Sequence, residues 1–175
     1  GTPLVSILIP NKDQADTLRT CLESIKKKCM YPSYEILIIE NNSTEEATFS
    51  YYKELEAQGI RVLKYPKQGF NYSAINNFGV KEAKGEYLLF LNNDMEIITP
   101  DFMEKMVSNL QRPQIGAVGG PRCCKRDSFL SILTAIDFVK EHFGVAMQKP
   151  EVVCHYAAQN NQCIGKRCPF SAANH

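Results

Sequence analysis

The sequence predicts an α/β fold, a mainly parallel sheet flanked by helices on both faces. Two observations lead there. Apolar runs of strand length recur along the chain, and segments with apolar residues at helical spacing alternate with them. A third bounds the size: 175 residues at 44% hydrophobic content suffice for one main domain with a real core and are short for two.

The elements follow in order. VSILIP (5–10) is the first strand, and Asp13 then stands as a helix cap ahead of Leu18, Cys21, Leu22 and Ile25. YEILIIE (34–40) repeats the strand signature. Ser43-Thr44-Glu45-Glu46 reads as a capping box opening a second helix that stops at Gly59. RVLKY (61–65) is a third strand, shorter and more polar. After the loop KQGFN a helix is expected from about 73 to 83, with Ala74, Ile75, Phe78 and Ala83 on its apolar stripe and Gly85 past its end. EYLLFL (86–91) is the fourth strand. Thr99 caps the next helix, with Pro100 at its first position and Phe102, Met106, Val107 and Leu110 inward. IGAVGG (115–120) is a fifth strand, and beyond it a helix is expected over about 128–143, followed by irregular chain.

Composition excludes several classes of function. Net charge is +1 and the basic residues do not gather with aromatics on one face, so nucleic acid is not an expected partner. Lys26-Lys27-Lys28 closes the first helix, where cations suit the dipole. No apolar run approaches the ~20 residues of a transmembrane segment. No signal peptide precedes the first strand, and the expectation is a soluble, cytoplasmic chain. The seven cysteines include no C-x-x-C pair and read as reduced thiols, with Cys21 on a helix's apolar face. Cys154, His155, Cys163 and Cys168 match no standard zinc spacing, and His142, His155 and His175 have no partner at catalytic spacing.

Three strands end in polar sequence: Pro10-Asn11-Lys12-Asp13, Glu40-Asn41-Asn42-Ser43 and Asn92-Asn93-Asp94. In a parallel sheet these ends open on one edge, where ligands of such folds bind. The glycine-rich phosphate loops G-x-G-x-x-G and G-x-x-x-x-G-K-[ST] do not follow the first strand. A diphosphate there needs another source of neutralisation. A divalent ion (Mg or Mn) held by Asp94 supplies it, since hard oxygen ligands suit these metals, and the amides can read a base and a ribose. Each residue also has a simpler reading: Asp94 can cap a turn, Asp13 a helix, and Glu40 can belong to a turn. The convergence of three polar strand ends favours the site.

VSILIPNKD, EILIIENNS, FNYSAINNFGVKEAKGEYLLFLNND and TPDFMEKMV together resemble the nucleotide-binding half of an inverting family 2 glycosyltransferase with the GT-A fold, over about residues 4–120. The resemblance implies a nucleotide-diphosphate sugar donor and an unknown saccharide or lipid-linked acceptor, with a role in surface polysaccharide synthesis. It places Asp94 as the metal-binding acid of a D-x-D-like motif, with Asn92 at the position of the first acid and Asn93 between them. It further implies that Pro10, Asn11 and Asp13 border the nucleotide, that Glu40 and Asn41 contact the base, and that Asn71 faces the nucleotide. Residues 1–120 are then the nucleotide-sugar-binding domain and 121–175 a divergent or truncated tail. In the family an acceptor half carries a carboxylate base; here Asp127, Asp137, Glu141 and Glu151 are the acids available after Gly120, none in a matching context, so the catalytic base is unassigned. The alternatives are a non-catalytic nucleotide-sugar-binding fragment and a nucleotidyltransferase, the latter weakened by the absence of a glycine-rich basic loop.

Overall fold

The computed structural model describes residues 1–112, 115–119, 131–135 and 164–165. Its centre is β1 (Val5–Asn11), whose residues Val5 to Ile9 are fully buried. Such a strand must be covered on both faces and paired on both edges. β2 (Tyr34–Glu40) lies parallel to it on one side, with Asn11 opposite Glu40, and β4 (Tyr87–Leu91) lies parallel on the other, with Leu8 opposite Phe90. β3 (Arg61–Lys64) extends the parallel set beyond β2.

Alternate residues of these strands feed two layers. Val5, Ile7, Ile9, Ile36, Ile38, Leu89 and Leu91 join one core with α1 (Ala15–Lys28), α2 (Glu46–Ala57) and α4 (Phe102–Leu110). α3 (Tyr72–Glu82) covers the other face. It comes so close that a Cβ at Gly79 would press into Ile39 Cδ1 and meet Leu8 Cδ2 at 3.4 Å. Glycine is what permits this approach.

Beyond β4 the sheet changes direction. β6 (Ser131–Ala135) pairs antiparallel with β4, β5 (Ile115–Gly119) pairs antiparallel with β6, and β7 (Ile164–Gly165) pairs with β5, for an order β3-β2-β1-β4-β6-β5-β7. The helix expected over 128–143 is therefore corrected at 131–135, where SILTA is a strand. A five-residue apolar segment fits either period, and the unpaired edge of β4 selects the strand. The remainder of that expected helix lies outside the described residues, as do Asp127, Asp137, Glu141 and Glu151.

The helix starts also differ from expectation. Asp13 does not cap α1, and Ser43 does not cap α2. Their roles are exchanged across the two loops: Asp13 Oδ1 accepts from the N–H groups of Thr44 (2.7 Å) and Glu45 (2.9 Å), while Glu45 Oε2 accepts from Gln14 N (3.2 Å). Each loop thereby satisfies amide donors at the head of the other's helix. Asp13 and Gln14 both take left-handed conformations to make this possible. At α4, Asp101 rather than Thr99 is the cap residue, with Pro100 in the preceding turn and Phe102, Met106, Val107 and Leu110 buried as expected. No helix among the described residues is long and apolar enough to cross a membrane.

Candidate functional site

The carboxyl ends of β1, β2 and β4 meet in one cleft of about 460 Å³, lined by Pro10, Asn11, Lys12, Asn41, Phe70, Tyr72 and the run Asn92 to Asp94. Pro10 explains why it opens there. Asn11 O accepts from Asn41 N at 2.9 Å, so Asn11 turns its polar edge toward β2 and the alternate residue Pro10 faces β4. Proline has no N–H to give on that side, and the β1–β4 ladder stops at Leu8 opposite Phe90. The two strands part, and the polar strand ends fill the gap.

The floor of the cleft is an amide network. Asn11, only 2% exposed, donates from Nδ2 to Tyr52 Oη (2.8 Å) and to Asp13 O (3.0 Å), and its Oδ1 accepts from Asn93 Nδ2 (2.7 Å). Asn11 and Asn93 thus tie the end of β1 to the turn after β4. Asn92 accepts through Oδ1 from the Tyr72 hydroxyl at 3.1 Å, while its main-chain carbonyl accepts a 3.7 Å contact from Cys21 Sγ. Burial first, and then the nearby Asp94 carboxylate, push the Cys21 thiol up to about 12, so it stays protonated.

Other residues singled out in the sequence stand beside the cleft. Glu40, 4% exposed, turns back to accept from Ser43 N. Asp13 is committed to Glu45 and Thr44, whose N–H groups hold its carboxyl below the usual carboxylate range. Asn71 caps α3, accepting from Ala74 N at 3.0 Å. Asp13, Glu40 and Asn71 do not line the cleft, whereas Pro10, Asn11, Asn41, Asn92, Asn93 and Asp94 do.

Comparison with known proteins assigns the family. The family described as "Glycosyltransferase like family 2" matches residues 6–118. The chain belongs to glycosyltransferase family 2. A family of unknown function (DUF5714) also matches, over residues 99–171. Over 119 residues the chain is 46% identical to the O-antigen biosynthesis protein RfbC of Myxococcus xanthus, covering 68% of this chain and 9% of that protein. It is 31% identical over 108 residues to the putative glycosyltransferase EpsH of Bacillus subtilis, covering 61% of this chain and 30% of that one. The chain therefore spans under a third of the length of either relative. Among solved structures, the mannosyltransferase PcManGT of Pyrobaculum calidifontis, in complex with GDP-Man and Mn2+, superposes with a TM-score of 0.69 at 18% identity, covering 82% of this chain and 47% of that one. TarS of S. aureus (residues 1–349) in complex with UDP-GlcNAc gives a TM-score of 0.56 at 17% identity, covering 65% of this chain and 33% of that one. The fold is GT-A-like.

In this family 2 cleft, Phe70, Tyr72 and the supporting Tyr52 were not singled out from the sequence, and Lys12 was named only within the polar end of the first strand. Tyr52 sits on the buried stripe of α2 and reads as core, but a buried phenol needs a hydrogen-bond partner, and that need is the signal. Phe70 is 75% exposed at the cleft wall, in a tilted contact with Tyr72 at 6.4 Å between ring centroids. Among the described residues no group of three or more His, Cys, Asp or Glu could enclose a metal. The hard oxygen atoms at the cleft are the Asp94 carboxylate and neighbouring amide carbonyls, the type of donor that Mg or Mn takes.

Proposed function

We propose that this chain is the donor-binding part of a glycosyltransferase that takes a sugar from a nucleoside diphosphate and transfers it with inversion to a saccharide or lipid-linked acceptor in surface polysaccharide synthesis. The observation that carries the reading is the parting of β1 and β4 at Pro10, which leaves Asp94 beside a wall of amides at the carboxyl edge of a parallel sheet. PcManGT, in complex with GDP-Man and Mn2+, and TarS, in complex with UDP-GlcNAc, share the fold, which supports a nucleotide-sugar donor and a divalent metal here. Asp94 is the residue that would hold the metal, which when bound stabilises charge on the leaving diphosphate. The protein's own groups orient the donor: Asn92, its Oδ1 engaged by Tyr72, offers its amide N–H groups to phosphate or ribose oxygens, and Asn41 lies on the side expected for the base.

A second reading, a nucleotide-sugar-binding piece without transfer activity of its own, is favoured by one observation. Among the described residues lining the cleft, Asp94 is the sole carboxylate, and a residue held to a metal is not available as base for an acceptor hydroxyl. Calorimetry of the intact chain with a panel of nucleotide sugars, with and without Mn2+, tests the donor reading. Binding should depend on Mn2+, and Asp94→Ala should remove the Mn2+-dependent part without lowering the melting temperature. Unchanged affinity in that variant would refute the metal role. Transfer assays with candidate acceptors separate the two readings: turnover near 1 per second or faster, an ordinary enzymatic rate of about that order, would exclude the second.

A further inference from the structure

Lys12 is the one cation among the described residues that line the cleft, opposite in sign to Asp94. Some basic side chains of the surface are held by acids, such as Arg19 by Glu54 and Lys28 by Glu96, and others are not; what sets Lys12 apart is its place at the cleft. Lys12 makes no ion pair within the described residues, although Asp13 is next to it in sequence. That carboxylate is already taken by the N–H groups of Thr44 and Glu45. The backbone on both sides of Lys12 is held, through Asn11 to Asn41 N and through Asp13 N to Ser43 Oγ at 2.9 Å. An exposed ammonium is therefore presented at the cleft from a fixed base.

The charge balance gives this a purpose. Asn92 and Asn93 are neutral, so Lys12 and Asp94 leave the cleft lining without net charge before any ligand arrives. A diphosphate brings negative charge that a cation on Asp94 offsets only in part, since Asp94 cancels some of that cation's charge. We propose that Lys12 contacts the donor's diphosphate and supplies a metal-independent share of nucleotide affinity, as a point charge on the leaving group. This rests on the donor-binding reading above.

The test is calorimetry of the intact chain with UDP, GDP, ADP, CDP and dTDP, each in EDTA and in excess MnCl2. With the tightest of the five, wild type should bind measurably in EDTA and more tightly in Mn2+. Lys12→Gln should lose about ten- to a hundredfold in EDTA, the range for a charge-assisted contact, with its melting temperature unchanged. Lys12→Arg should stay within a few fold of wild type. Asp94→Asn removes a negative charge from beside the diphosphate, so it should bind no more weakly than wild type in EDTA and should lose the gain from Mn2+. The inference is overturned if Lys12→Gln retains the EDTA affinity, or if wild type binds only in Mn2+. Failure of all five nucleotides in both buffers would overturn the donor reading itself, and this inference with it.

Discussion

Replacing Asn11 with alanine separates a residue that holds the cleft from one that touches a ligand. The substitution removes hydrogen bonds to Tyr52 Oη, Asp13 O and Asn93 Nδ2, all made by a side chain that is 2% exposed. At about 1 kcal/mol for each bond, the loss is about 3 kcal/mol. For a chain of this size that corresponds to a fall in Tm of roughly 6–12 °C. Urea denaturation should show a lower midpoint with an unchanged slope. Tyr52→Phe removes one of the same bonds and should cost about 1 kcal/mol, and the double variant should cost less than the sum of the singles because the two share that bond. Nucleotide affinity should fall together with stability, since Asn93 loses its tie to β1 and Asp94 follows it in the chain. A variant within about 0.5 kcal/mol of wild type that nevertheless loses nucleotide binding would refute this reasoning and make Asn11 a direct ligand contact.

Three further outcomes are expected. Phe70→Ala should weaken a nucleoside diphosphate by about tenfold, near the lower end of base–aromatic stacking, and leave pyrophosphate affinity unchanged; an equal loss for pyrophosphate would rule out stacking on the base. Gly85→Ala should destabilise by about 3 kcal/mol, the upper part of the overpacking range, because its Cβ would sit 2.7 Å from Leu4 O and Ser6 N, backbone atoms that cannot rotate away. Asp13, held below its ordinary pKa of 3.8 by the N–H groups of Glu45 and Thr44, stabilises the folded chain above its unfolded pKa, and this contribution is lost as pH falls through the lower folded value. The gap in urea midpoint between wild type and Asp13→Ala should therefore be present at pH 7 and shrink on acidification, and a gap constant with pH would contradict the carboxylate's role.

What could be read from the sequence was whatever depends on burial. VSILIP, YEILIIE and YLLFL are too apolar to lie anywhere but inside a covered sheet, so the parallel core and the meeting of its polar ends followed from composition. Residues whose roles depend on partners distant in the chain were not legible. Asp13 beside Gln14 looks like a local cap, yet its partners are Thr44 and Glu45. Asn11 and Asn93 both line the cleft, but the hydrogen bond between them joins positions 82 residues apart and cannot be read from either stretch. Residues 131–135 carry no decisive period, and only the vacant edge of β4 makes them a strand. Lys12 and Phe70 lie in loops where no periodicity points, and it took the topology to bring them to one cleft.

The position of β6 in the sheet has a consequence during synthesis. β3, β2, β1 and β4 are complete once residue 91 has emerged, but the strand that covers the outer edge of β4 comes from residues 131–135. At about 5–20 residues per second, that edge waits for a time on the order of seconds. Its sequence, YLLFL, has neither a charge nor a proline to discourage pairing with a neighbouring chain. Nascent chains on one messenger are close neighbours during that interval, and a product cut short before residue 131 would carry the open edge permanently. β6 thus closes the finished sheet against strand-to-strand association, and until it arrives the β4 edge stays open to a neighbouring strand.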